Sequence, residues 1–332
     1  MRTASRRRFL AAASGGAFAV AAGHSFAPPR PAFVAITLDL EMSAEYPRRG
    51  MTEWNYRKGE LDDDTRKYAV EAARLVKDRG GVIHFFALGR TLEQDDVSWL
   101  KRLAADGHPI GNHTYDHINL LAAKPEDLQF RFQRSPWLVK GKTTAEAIED
   151  NIATTTLALR ERCGIAANGF RTPGGFKTGL ATRPDLQKLL AKQGFSWVSS
   201  LYPSHLTGKP KEEPTAAVYD SIVAAQAAAQ PFEYPSGLVE VPMSPISDVG
   251  AFRTNYWKRE WFLKAVRLAV ERAIETGGVF DFLAHPSCLV VEDPAFETIK
   301  LICDLVKQAG PRAAIVGLDS LAARGKGVKP PT

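Results

Sequence analysis

Six residues of this chain have the types and spacing of a hydrolytic metal centre. His113 and His117 stand four apart in GNHTYDH (111–117), in a chain with only seven histidines. Asp39 and Glu41 stand two apart in TLDLE (37–41), Arg171 lies in FRTPGGF and His285 in DFLAHPS. Imidazoles at i and i+4 share a face if the segment turns helical, and imidazole nitrogens suit zinc. A carboxylate can complete three protein ligands and leave the fourth position to water. The same spacing occurs in H-E-x-x-H, but the intervening Thr114, Tyr115 and Asp116 lack that motif's general-base glutamate. A metalloprotease is therefore not indicated, and the base has to come from elsewhere in the chain.

The elements that must position these residues are short apolar runs alternating with helical patterns. FVAITLDL (33–40) reads as a buried strand, a continuous apolar run with β-branched residues. Further strands are expected at 81–88, 108–113, 167–173, 195–200, 238–243, 279–285 and 313–318. Helices are expected at 62–81, 97–107, 144–164, 183–194, 256–278 and 294–309, several with acidic first turns and a terminal glycine. Repeated strand–helix units imply an α/β fold with a parallel sheet and helices outside. We expect a distorted parallel (β/α) barrel of about seven strands; a doubly wound open sheet is the alternative. In either, strand C-termini lie on one face, so the six residues, each at the end of a strand, converge without further assumption.

Two segments break the rhythm. Residues 43–61 are polar, aromatic and irregular, and 202–237 place Pro-rich flanks around VYDSIVAAQAAAQ, read as a short helix. Both follow strand ends, as loops shaping a substrate groove would, although ordinary surface insertion accounts for them equally. No repeat or linker marks a second domain, so residues 28–332 form one catalytic domain.

The N-terminus reads as an export signal at 1–27. Arg2 and Arg6-Arg7-Arg8 precede an apolar run from Phe9 to Gly23, too short to span a bilayer comfortably. Ser5-Arg6-Arg7-Arg8-Phe9-Leu10 resembles a twin-arginine signal, which implies the twin-arginine export machinery as partner and a periplasmic or extracellular destination. The net charge of +6 falls to about +2 without the four leader arginines. No later Lys/Arg cluster argues for nucleic acid or an anionic membrane surface, and no stable membrane span is expected after processing. Cys163, Cys288 and Cys303 show no CxxC pairing, which argues against a disulfide framework or a thiolate zinc site.

Four motifs in order, TLDLE, His113-Thr114-Tyr115-Asp116-His117, Arg171-Thr172-Pro173 and Leu283-Ala284-His285, resemble those of the polysaccharide deacetylase family (NodB homology, carbohydrate esterase family 4). They span nearly the whole chain past the leader. The resemblance implies metal-dependent removal of N-acetyl, in some members O-acetyl, groups from a glycan such as peptidoglycan or a chitin-like polymer. It implies Asp39 as catalytic base, His285 as general acid, Arg171 as the residue orienting the base, and His113 and His117 as metal ligands. The metal would be divalent, zinc first and cobalt next, acidifying a water and polarising the acetyl carbonyl. Glu41 is the candidate third ligand, although alternation puts Asp39 and Glu41 on one face and their roles could be exchanged.

The chain departs from the family pattern in ways that bear on substrate. Two adjacent aspartates are usual where Leu40 and Glu41 follow Asp39. Gly174 occupies the usual aromatic position after R-x-P, with Phe176 as its replacement, and a Gly174 backbone N–H could serve an oxyanion. The aspartate that usually tunes the acid histidine is missing from WVSSLYPS, and Asp248 is its substitute. Gly174, Phe176 and Asp248 complete the expected substrate-facing set. These departures resemble an atypical branch that includes cyclic-amide hydrolases. The alternatives are therefore a cyclic amide or ureide hydrolase on the same fold, or a non-catalytic glycan-binding relative. His84 and His108 read as core histidines, His205 as solvated, and Trp257 and Trp261 as core rather than sugar-stacking residues.

Overall fold

The fold is built around its first strand. The computed structural model describes residues 30–43 and 55–331, so the leader read at 1–27 and residues 44–54 of the irregular segment read at 43–61 lie outside the described residues. The chain runs β1 (Ala32–Leu40), α1 (Asp63–Lys77), β2 (Ile83–Ala87), α2 (Ser98–Ala105), β3 (Ile110–Asn112), α3 (Phe130–Arg134), α4 (Thr144–Cys163), β4 (Gly169–Phe176), α5 (Pro184–Lys192) and β5 (Trp197–Leu201). It continues through α6 (Ala216–Ala228), β6 (Phe232–Glu233), β7 (Val239–Glu240), α7 (Arg259–Thr276), β8 (Val279–Ala284), α8 (Pro286–Glu292), α9 (Glu297–Ala309), β9 (Ala313–Ile315) and α10 (Leu318–Gly325).

The sheet order is β6-β7-β5-β4-β3-β2-β1-β8, with β9 paired to the start of β1. Every pairing is parallel except β6 with β7. From β1 to β5 the order advances strand by strand in one direction, as a barrel requires, without the early reversal that defines a doubly wound sheet. Past β7 the ladder is carried on by Val241 and Met243, whose N–H groups reach Val198 and Leu201. Ser244 N–H then donates to Asp281 O at 2.9 Å, bridging toward β8. The result is a strongly curled, mostly parallel sheet, a distorted half-barrel with nine strands where about seven were expected.

Alternation along β1 divides its duties. Val34, Ile36, Leu38 and Leu40 face outward into the main apolar core beneath α1, α7 and α9. Burying such side chains contributes about 1.5–3 kcal/mol each, which fixes the register of the strand. Ala35 faces inward with Phe86, Trp197, Val239, Val241 and Val279, where Leu318, Leu321 and Ala322 of α10 plug the barrel floor. Gly169 permits this packing, because a Cβ there would lie 1.9 Å from the Trp197 ring. The next inward residues of β1 are Thr37 and Asp39, both buried and polar, so the barrel turns from apolar to charged on approaching its C-terminal rim.

The helices form where the sequence signals place them. Asp62 Oδ1 accepts from Thr65 N–H at 2.8 Å and starts α1. Thr143 and Glu146 form a capping box on α4, and Gly164, in the left-handed region, ends it. Trp257 and Trp261 are buried in the main core, as expected. His84 and His108 are also buried core residues, each accepting one backbone N–H, from Leu318 and Ile83 respectively. Short elements without periodic patterns, α3, α8, α10 and β6, had no counterpart in the sequence reading. Among the described residues no helix is long and apolar enough to cross a membrane.

Candidate metal and catalytic site

The site forms where β1 stops. Glu41 N–H turns back to Asp39 O at 2.9 Å, and Ser287, in the first turn of α8, donates its hydroxyl to Glu41 O at 2.7 Å. Asp39 and Glu41 therefore both face the rim cavity, as strand alternation requires.

The two histidines meet them from the loop after β3. The segment does not become helical, contrary to the geometry assumed from the i, i+4 spacing. Thr114 and His117 adopt left-handed backbone angles, with φ of 65° and 58°. A β-branched residue there is a genuine outlier, at a cost of about 1–3 kcal/mol, and persists only where its surroundings over-determine it. Those surroundings are present. Asn112 Oδ1 accepts from Thr114 N–H, and Asn151 Oδ1 accepts from Tyr115 and Asp116 N–H at 2.8 and 3.0 Å. Asp116 is buried and held by Arg131 at 2.6 Å and by Asn151 at 3.0 Å.

The loop delivers His113 and His117 to Glu41. His117 Nε2 lies 2.8 Å and His113 Nε2 3.4 Å from Glu41 Oε2. His113 Nδ1 lies 2.9 Å from Arg171 O, and a carbonyl can only accept, so Nδ1 carries a proton and Nε2 is the nitrogen turned toward Glu41. Burial lowers the His117 pKa to about 4, which keeps its ring neutral at pH 7. Burial would raise the Glu41 carboxyl, but His117 and Lys58 beside it outweigh that and hold it well below the ordinary carboxylate range. Glu41 Oε2 is buried without a hydrogen-bond donor, and Glu41, His113 and His117 present ligand atoms within 4.8 Å of one another. Two imidazole nitrogens gathered with one carboxylate oxygen suit a divalent ion such as zinc.

Asp39 belongs to a second group. Arg171, fully buried, donates from Nη1 to Asp39 Oδ1 at 3.1 Å and to Thr37 Oγ1 at 2.7 Å. Its Nη2 pairs with Asp281, and Ser199 Oγ accepts from both Nε and Nη2. The guanidinium rests on the Phe86 ring, 4.3 Å from its centroid. Asp39 Oδ2 is left facing the cavity, 3.7 Å from His113 Nε2 and 4.0 Å from His285 Nε2.

His285 stands opposite the two imidazoles, at the end of β8. Its Nδ1 lies 2.8 Å from Asp248 Oδ1, and its backbone N–H donates to Asp248 Oδ2 at 2.7 Å. Burial lowers the His285 pKa, but Asp248, Glu41 and Asp39 outweigh it and raise it to about 9. Nε2 then carries a proton into the cavity at neutral pH. Asp248 is fully buried, caps the one-turn π-helix Val249–Thr254 through Val249 N–H, and has no oxygen left for substrate. It stands behind His285 rather than among the substrate-facing residues.

Gly174 lines the cavity, which is about 250 Å³ in volume. Phe176 does not; it is half-buried against the core cluster under α4 and α5. The aromatic wall is instead Tyr202, whose hydroxyl accepts from Ser247 N–H at 3.0 Å. Tyr202 directly follows β5, so the strand-end rule applied to WVSSLYPS could have found it. Asp281 carried a signal too, as a charge inside the apolar run of β8. Lys58, buried in the cavity wall, carried none.

A second cavity of about 420 Å³ adjoins the first at His117 and Gly174. Asn55, Asn119, Gln129, Gln133, Asp127 and Phe130 contribute to its lining.

This geometry has known relatives. Residues 60–195 match the family model for polysaccharide deacetylases. Over that segment the chain is similar to the polysaccharide deacetylase family. The matched segment holds His113, His117 and Arg171; Asp39, Glu41, Asp248 and His285 lie outside it. Among solved structures, a Mycobacterium smegmatis protein assigned as a polysaccharide deacetylase is 18% identical with a TM-score of 0.59, covering 93% of this chain and 97% of that one. A polysaccharide deacetylase from Pseudomonas aeruginosa PAO1 (14% identity, TM-score 0.58, 91% and 95% covered) and Puue allantoinase (14%, 0.58, 93% and 97%) share the fold. No curated protein matches the chain. The chain thus has the deacetylase-type hydrolase fold and carries a His–His–carboxylate cluster suited to a metal.

Proposed function

We propose that this protein is a metal-dependent N-deacetylase acting on an acetylated amino-sugar glycan. The observation that carries the reading is the opposition, across one small cavity, of an arginine-held carboxylate and an imidazolium beside an unsatisfied ligand cluster. A divalent ion held by Glu41, His113 and His117 would acidify a water and polarise the acetyl carbonyl. Asp39, held by Arg171 through Oδ1, leaves Oδ2 free to act as the base that would accept a proton from the attacking water. His285 donates its Nε2 proton to the leaving nitrogen, which departs poorly unless protonated. Asp248 keeps that imidazole charged and oriented, and Gly174 stands where a backbone N–H can meet the oxyanion. The second cavity, with amide side chains and an aromatic ring, suits the hydroxyls and ring face of a neighbouring sugar, and supports an extended glycan over a small substrate.

A second reading is hydrolysis of a cyclic amide or ureide with the same residues. The likeness to an allantoinase structure supports it, as do the departures around Asp39 and Gly174. We also propose export by the twin-arginine route, which rests on the sequence of residues 1–27.

The test is acetate release from chitin oligomers, peptidoglycan and acetylated xylan, with chelator and then with zinc or cobalt. Metal-restored release that Asp39→Asn and His113→Ala abolish is the expected result. Full activity in either variant overturns the assignment. Turnover of a cyclic ureide without acetate release selects the second reading, and tight glycan binding without turnover under any metal leaves a binding protein.

A further inference from the structure

We infer that Lys58 is a positioning residue that holds Glu41 to a single metal-facing oxygen and weakens the grip of the site on its cation. The inference rests on the metal-site reading above. Lys58 is 4% exposed and Glu41 3%, and the Lys58 ammonium pairs with Glu41 Oε1. The pairing is built into the backbone, because Met42 N–H donates to Lys58 O at 2.8 Å, setting Lys58 directly beside the end of β1. A buried ammonium is costly unless paired, so its place against this carboxylate calls for a role.

The two oxygens of Glu41 face different neighbours. Oε2 faces His117 at 2.8 Å and His113 at 3.4 Å. Oε1 faces Lys58, with His285 Nε2 3.7 Å away. A carboxylate can give a metal one oxygen or two. With Oε1 held by an ammonium, only Oε2 is offered, and a coordination position stays open for water and substrate. The charge acts in the same direction. The carboxylate of Glu41 brings negative charge to the ligand cluster, and the ammonium beside it offsets that charge within the same buried space. Lys58 thereby gives up cation affinity for an open, more electrophilic site.

The experiment uses the metal-free full chain, titrated with Zn2+ against a chromophoric chelator and with Co2+ read by its visible absorption. Removing the ammonium in Lys58→Met is expected to tighten Zn2+ binding about tenfold or more. It should also weaken the Co2+ absorption, as the freed Oε1 raises the coordination number. Lys58→Gln keeps a donor on Oε1 without the charge, so affinity should rise while the Co2+ spectrum stays that of the unaltered protein. The Gln variant also decides the matter if the Met variant fails to fold. Equal or weaker metal binding in both variants, with the unaltered protein binding metal, overturns the role of Lys58 and leaves the metal site standing. No metal bound by any of the three proteins overturns the metal-site reading and this inference with it.

Discussion

His285 is held twice by one residue, its ring Nδ1 2.8 Å and its backbone N–H 2.7 Å from the two carboxylate oxygens of Asp248. A single buried side chain thus sets both the orientation and the charge of the imidazole. The two residues are 37 apart in sequence, and Asp248 also caps the one-turn π-helix that follows it.

This pair controls the alkaline limb of the pH profile. His285 acts in its protonated form, with a pKa raised to about 9, so activity should fall as pH rises through that value. Asp248→Asn removes the principal charge that opposes burial. The alkaline limb of kcat/KM should then move to lower pH by at least about one unit. An unmoved limb would mean that another group supplies the proton. The same linkage acts on stability. The raised pKa makes the pair's contribution fully present below about pH 6.5 and lost as pH rises through about 9.

Metal binding should be visible as stability. Glu41 Oε2, without a donor in the folded chain, is the atom with most to gain. Zn2+ at a hundred times its dissociation constant should stabilise the protein by about 2.7 kcal/mol. Thermal unfolding with and without the ion measures this, and Glu41→Ala should erase the difference. A shift that survives in Glu41→Ala would place the ion elsewhere.

Arg171 joins catalysis to folding. It is the fully buried cation between Asp39 and Asp281, and Arg171→Met leaves both carboxylates without it. The expected loss is about 3–5 kcal/mol in urea unfolding at pH 7. Lowering the pH should narrow the deficit, because burial already raises the Asp281 pKa to about 6 and a protonated carboxyl no longer needs the guanidinium. A deficit independent of pH would assign Arg171 a packing role on Phe86 instead.

Asn151, on α4, supports the histidine loop from outside the cavity through Tyr115 N–H, Asp116 N–H and the Asp116 carboxylate. Asn151→Ala should weaken zinc affinity about 10–100-fold while leaving the ligands themselves intact. Chelator competition reads the change directly. Unaltered affinity would show that the left-handed turn at Thr114 and His117 needs no such support.

The sequence by itself determined the alternation of strands and helices, and with it the face on which Asp39, Glu41, His113, Arg171 and His285 would gather. Both follow from local rules: apolar period, caps, and the shared direction of parallel strands. It also singled out His84 and His108 as core residues. Tertiary structure decided which neighbours each carboxylate has. Asp39 and Glu41 are equivalent by alternation, and only the positions of Arg171 and of the two imidazoles separate them. The histidine spacing suggested a helical turn, yet the loop is left-handed at two residues, because Asn112 and Asn151 from other elements hold it so. Asp248 and Lys58 lay in segments without periodicity, where sequence gives no direction in space. Their ties to His285 and Glu41 form only when the fold buries these charges side by side.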